Sequence, residues 1–252
     1  MDWLFAPIDP SRAHDVGFAV SWHARSMVVA WGILAPLAVL VARFFKVLPR
    51  QDWPRELDSQ VWWRSHWMGH SVVLGLTIFG LALVLPTDFG RMSLHNWLGF
   101  VLVALLVVQV ALGLSRGSKG GPTAPAKDGS PRGHHYDMTP WRRMFETSHK
   151  MLGYVALALA VIVMLTGLWK ANAPVWMWLT LTLWWGGLVL AFFELQRRGM
   201  AVDTYQAIWG DDPAHPGNRM PAPGWGVRRP GDTREELDQD VRSDRGNRVR
   251  GH

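Results

Sequence analysis

Apolar residues in this chain are gathered into five blocks, separated by polar stretches rich in Gly, Pro and Arg. The blocks run from Trp22 to Phe45, Val61 to Leu85, Leu94 to Leu114, His149 to Leu168 and Val175 to Leu195. Each can cross a hydrocarbon layer, which takes about 20 residues at ~1.5 Å of rise per residue. The pattern predicts an all-α integral membrane bundle of five spans, with a four-helix core in the first four. Residues 1–21 read as a short lead, 22–195 as the transmembrane domain, and 196–252 as a polar, flexible tail with at most short helices near Thr233 to Arg242. Pro86–Thr87–Asp88 closes the second span, Ser115 to Met144 reads as a long mobile loop, and Ala171–Asn172–Ala173–Pro174 as a tight connection. Pro36 lies inside the first span, where a neighbouring helix can satisfy the carbonyl it frees. Trp184 and Trp185 fall at mid-depth in the fifth.

Composition narrows the chemistry. There is no cysteine, which excludes disulfides, iron–sulfur clusters and thiolate zinc sites. The 16 tryptophans suit a protein anchored at two membrane interfaces. The net charge of +6 fits either a nucleic-acid partner or basic loops on one membrane side, and its placement selects the second. Arg43, Lys46, Arg50, Arg55 and Arg64 follow the first span; Arg116, Lys119, Lys127, Arg132, Arg142, Arg143 and Lys150 follow the third; Arg197 and Arg198 follow the fifth. The other side offers Arg12, Arg25, Arg91 and Lys170. The lysine and arginine bias therefore predicts an outside N-terminus and a cytoplasmic tail, in a bacterial-type inner membrane or another energy-transducing membrane. The opening MDWLFAPIDP lacks a basic n-region and a cleavage site, so the first span is expected to insert as its own signal.

Four spans open with a histidine: His23, His66, His95 and His149. An intramembrane imidazole is costly unless something satisfies it. Because consecutive spans alternate in direction, His23 and His95 should share the outer level, and His66 and His149 the cytoplasmic one. One such histidine alone is more simply a satisfied polar residue; four sorted into level pairs point to ligation. Two imidazoles per level are too few for an ordinary zinc site. They suit a haem, whose porphyrin supplies four ligands and leaves two axial positions. With both taken, the chemistry expected is one-electron transfer, and two such groups would lie on the order of 20 Å apart. His70, one turn deeper than His66, is a rival ligand. His14, His134, His135, His215 and His252 lie in loops or tails, and the His134–His135 pair reads as solvated. Gly80, Gly99, Gly153 and Gly167 fall on histidine-bearing faces; they would make room for a flat macrocycle, or simply let helices approach. Arg64 and Lys150, with Arg142 and Arg143, could pair with haem propionates or an anionic donor, or merely enforce orientation. Arg25 and Arg91 are the counterparts at the outer level.

The motifs resemble the cytochrome b561 family, in particular its eukaryotic-type transmembrane core. His23, Trp31, Gly32, Ile33, Leu34 and Pro36, followed by Ala42–Arg43, are similar to that family's first-span pattern. Trp62, Trp63 and His66 resemble its second, and Ser93, Leu94, His95, Asn96, Trp97, Gly99 and Gln109 its third. Phe145, His149, Gly153, Tyr154 and Gly167–Leu168 resemble its fourth. The resemblance implies two non-covalent haem b groups, with His23 paired to His95 and His66 to His149, and favours His66 over His70. It implies transfer of electrons from a cytoplasmic or quinol-like donor, commonly ascorbate, to an outer acceptor such as a ferric chelate or monodehydroascorbate. Where family members often have Gln and Asn, this chain has His70 and Val163. It also reads as a stand-alone core. Expected partners are membrane lipid and a small-molecule or protein donor and acceptor, with a homodimer left open. Two rival readings are a haem-bearing subunit serving a partner dehydrogenase and a redox-free transporter or scaffold. The lack of mid-membrane charge in the first four spans speaks against a pump.

Overall fold

The computed structural model describes residues 2–85, 92–117 and 127–230. Pro86–Thr87–Asp88, Arg91, Lys119, the helices expected near Thr233 to Arg242, and His252 lie outside the described residues. Five long apolar helices are present: α1 (Phe18–Phe44), α2 (Gln60–Val84), α3 (Leu94–Leu114), α4 (Pro140–Lys170) and α5 (Val175–Arg197). The protein is an all-helical integral membrane bundle, because only internally bonded backbone is stable in hydrocarbon. A short helix α6 (Thr204–Trp209) follows.

Local sequence sets the boundaries. Side chains of Ser59, Ser93 and Thr139 accept from the first-turn amides of Val61, Asn96 and Arg142, satisfying donors that helix starts leave open. With Thr139 as cap and Pro140 in the first turn, α4 begins nine residues before the expected His149. Its added turns are polar but paired, since Arg142 and Lys150 flank Glu146 at four-residue spacing.

α1 packs along α2, and α3 along α4. α5 leans on α1 and α4. The middle of the bundle is closed by Ala30, Trp31, Ala35, Val73, Ala160 and Met164, among others. Trp31 Nε1 donates to Thr77 Oγ1 at 3.1 Å, and that hydroxyl donates to Val73 O at 2.7 Å, so neither polar group is stranded. Val107 of α3 and Leu183, Leu190 and Phe193 of α5 are exposed, as lipid-facing residues should be. Pro36 has no N–H for the Gly32 carbonyl; Trp184 Nε1 of α5 donates to it at 2.8 Å. The stretch Val28–Leu34 is wound as a π-helix just before that proline.

The two ends of the bundle are built differently. At the first, residues 7–14 are fastened to the α4–α5 turn by Asn172, whose backbone is left-handed at φ 48°. Asn172 Oδ1 accepts from Asp9 N, and Nδ2 donates to the carbonyls of Asp9 and Arg12. At the other end, residues 200–230 fold into a cap, which corrects the reading of the region after Gln196 as solvated. Every residue of α6 is buried. Tyr205 Oη donates to Tyr136 O, and Trp53 Nε1 to Gln206 O. Asp203 holds Arg229 at 2.8 Å with both side chains nearly inaccessible. The region looked like a tail because its charges are numerous, but Asp203 and Arg229 pair with each other and Arg219 bonds backbone carbonyls. His135 is likewise fully buried, accepting at Nδ1 from Trp209 Nε1, whereas His134 is exposed. The solvated reading therefore fails for one residue of that pair.

Candidate functional site

The histidines meet in the two pairs expected. His23 of α1 and His95 of α3 stand with ring centroids 6.2 Å apart and planes at 90°. His66 of α2 and His149 of α4 stand 6.0 Å apart at 76°. The helices that share a pair, α1 with α3 and α2 with α4, do not pack along their length as their neighbours do. The level of each pair can be read from the helices themselves. His23 Nδ1 bonds the carbonyl of Gly80, fourteen residues beyond His66 on α2. His95 Nδ1 bonds the carbonyl of Val163, fourteen residues beyond His149 on α4. Both offsets place the pairs about 21 Å apart along the bundle.

At the first pair, both Nδ1 atoms are held by backbone carbonyls, at 2.9 and 3.0 Å, which assigns the proton to Nδ1 and turns Nε2 into a free donor of electrons. Two glycines make room. A Cβ on Gly167 would stand 2.9 Å from His95 Cε1, and one on Gly80 would crowd Met27 and approach His23 Nδ1 at 3.5 Å. Lys170 Nζ donates to Asn96 Oδ1 at 3.0 Å near this pair.

The second pair is framed otherwise. The Nδ1 atoms of His66 and His149 are buried without a hydrogen-bond partner among the described residues. Phe145 stacks on His149 at 5.3 Å, and Gln109 Nε2 donates to the His149 carbonyl at 3.0 Å. His70 lies 4.6 Å from His66, so the second level carries three imidazoles. Of the basic candidates, Lys150 and Arg142 are both bonded to Glu146 at 3.0 Å, and Arg143 is exposed. Arg64 is exposed too, with no hydrogen bond or ion pair among the described residues. Arg25 lies over the Trp22 ring. Sequence reasoning counted Arg43 and Lys46 among the charges that set orientation, and Arg43 in the first-span motif, but gave neither a place in a site; both are buried where α1 meets the cap. An arginine and a lysine three residues apart at the end of an apolar span were the available signal.

Residues 22–124 match the family model described as eukaryotic cytochrome b561. Over that stretch the chain is similar to the cytochrome b561 family. The likeness supports haem b binding and transmembrane electron transfer in general terms. Among curated relatives, it is similar to ferric-chelate reductase 1 of Bos taurus, 28% identical over 152 residues, and to ferric-chelate reductase 1 of Homo sapiens, 28% identical over 151 residues. Each match takes in 58% of this chain and 22% of the relative, so the chain spans about a fifth of their length. No solved structure matches.

The paired residues fit a haem. A metal–imidazole bond is about 2 Å, so two rings gripping one ion from opposite sides stand about 6 Å apart centre to centre. Both observed separations agree, and at the first pair the hydrogen-bonded nitrogen is Nδ1 on each ring.

Proposed function

We propose that this protein carries two haem b groups, one held by His23 and His95 and the other by His66 and His149, and passes single electrons from one membrane face to the other. The observation that carries the reading is that four imidazoles from alternate helices meet as two pairs, 6.2 and 6.0 Å between centroids. When bound between two imidazoles, a haem would supply outer-sphere electron transfer rather than substrate activation. The chain's own residues do the positioning. Gly80 and Val163 carbonyls fix the His23 and His95 rings, Gln109 holds the backbone at His149, and the layer of Trp31, Thr77, Val73 and Ala160 keeps water out of the bundle between the pairs.

The cap end carries Arg43, Lys46, Arg142, Arg143 and Lys150, together with Arg197 and Arg198, which supports placing it in the cytoplasm and the His23–His95 pair at the outer face. The donor then acts at the cap face. The resemblance to proteins named ferric-chelate reductase 1 makes a ferric chelate the acceptor of choice at the other.

Haem quantitation and a reduced-minus-oxidised spectrum of the purified protein test the reading. The unaltered chain should hold two haems per chain, and His95→Ala should lose the outer one while leaving the other reducible. A variant that keeps both, or an unaltered protein with a single haem, would overturn it.

A further inference from the structure

Arg43 and Lys46 are buried, at 8% and 6% exposure, yet neither has a carboxylate within ion-pair distance among the described residues. The nearby acids are committed elsewhere: Glu146 to Arg142 and Lys150, Asp203 to Arg229. Neutral oxygens stand in for an anion. Arg43 Nη1 donates to Tyr154 Oη at 2.9 Å; Nη2 donates to Gln196 Oε1 at 2.7 Å and to Trp225 O at 2.8 Å. Arg43 Nε is buried with no partner. Lys46 Nζ donates to Val202 O at 2.9 Å and, at 3.4 Å, to Arg43 O.

The acceptors from residues 223–226 form one short segment laid across side chains of three helices. Pro223 O accepts from Lys150 of α4 at 2.9 Å, Trp225 O from Arg43 of α1, and Gly226 O from Gln196 of α5 at 2.7 Å. The segment turns through Gly224 and Gly226 at φ 121° and 63°, where side chains are disfavoured. A Cβ on Gly226 would stand 2.9 Å from Gln196 Nε2, so the backbone must come this close. Residues 221–227 make no backbone–backbone bond among the described residues, and the Trp225 side chain is 70% exposed. Beyond them, Arg228 is fastened to Ala201 and Asp203 through its backbone. The segment is thus held chiefly by cations and an amide reaching for its carbonyls. An ionised oxygen is the stronger acceptor for such donors.

We propose that residues 223–226 are a displaceable strap whose carbonyls occupy a site for a small oxyanion, built by Arg43, Lys46 and Lys150 beside His149. The shared chemistry is that of a carboxylate, from a haem propionate or from a free anion; the proposed function enters only for the first source. Binding of the anion by Arg43 and Lys150 releases the carbonyls of Trp225 and Pro223, and the strap swings out on its two glycines.

The chain has no cysteine, so Pro223→Cys places a single thiol at a buried strap position. Its labelling by N-ethylmaleimide would be timed on the full chain loaded with haem or with haem dimethyl ester, in sodium sulfate or in sodium chloride of equal ionic strength. A free anion as the occupant predicts slow labelling in chloride and a saturable rise in sulfate of at least about tenfold, as expected when a dominant closed state is depopulated. A propionate as the occupant predicts fast labelling with haem in chloride and slow labelling with the ester. Equal rates in all four arms, with trypsin cleavage at Arg228 of the unaltered chain also indifferent to sulfate, would overturn the proposal.

Discussion

The two histidine pairs have nearly the same spacing but are made by different means. His23 and His95 are aimed by backbone carbonyls of the opposing helices, and each carbonyl belongs to or lies near a stretch where a glycine clears the ring. His66 and His149 have no such bonds at Nδ1, and no described glycine stands against either ring. Their orientation comes from packing: Phe145 stacked on one side, His70 against the other, Gln109 behind the backbone. A ring fixed by hydrogen bonds has one preferred setting and one tautomer. A ring fixed by neighbours has a setting that shifts when a neighbour does. The pair under the cap is therefore the one that can respond to events at its membrane face, and the other is the stiffer element.

The largest effects should come from the three imidazoles under the cap. With His66 6.0 Å from His149 and His70 packed against His66, His66→Ala should remove one haem of two, while His70→Ala keeps both and alters the spectrum of that one. Haem per chain after purification decides it. The reverse outcome would make His70 the ligand and His66 its support.

Why the sequence left that choice to a family resemblance is physical. His66 and His70 are one turn apart on the same face, and periodicity cannot rank two residues that a helix presents almost together. The spans themselves were legible because twenty apolar residues in a row admit few other structures. Their alternating direction was also enough to pair His23 with His95 and His66 with His149. The cap was not legible. Its short helix, Thr204–Trp209, is too brief to show a period, and its charged residues announce solvent until Asp203 is seen to hold Arg229 and Glu146 to hold Arg142. The early start of α4 was hidden for the same reason: Arg142, Glu146 and Lys150 look like loop residues until their four-residue spacing is counted. Trp184 was visible as a mid-depth tryptophan, and Pro36 as a proline needing help, but nothing in the sequence joined them.

A smaller effect separates the mechanisms of support. Gly167→Ala would press a methyl against His95 at 2.9 Å from Cε1 and 3.2 Å from Nδ1, forcing the ring off the Val163 carbonyl. Haem retention at that pair should fall about tenfold, the low end of what loss of a supporting contact around a ligand costs. Gly80→Ala meets chiefly the flexible end of Met27, so haem retention there should change far less. Equal losses from the two substitutions would mean that the first pair is as tolerant of ring position as the second.

The smallest effect belongs to the cap alone. Burial holds the Lys46 ammonium down, to about 7, with Lys150 and Arg43 adding repulsion and Asp203 and Glu146 partly offsetting it. In the unfolded chain this amine keeps its proton up to about 10.4. Between those values the unfolded state binds a proton that the folded state does not, so the stability that depends on Lys46 rises with pH across the window and is lost as pH falls through about 7. The slope is at most about 1.4 kcal/mol per pH unit, or about 3–6 °C in the midpoint of a protein this size. Lys46→Met removes the titration, so the wild-type midpoint in detergent should climb from pH 7 to pH 9 relative to that variant. An anion in the strap's place would stabilise the charged amine and flatten the wild-type slope, so repeating the scan in sulfate joins this measurement to the cation cluster. A slope unchanged by Lys46→Met would mean that the cap's cations are already satisfied by their carbonyls, and that the pair beneath them is as fixed as the other.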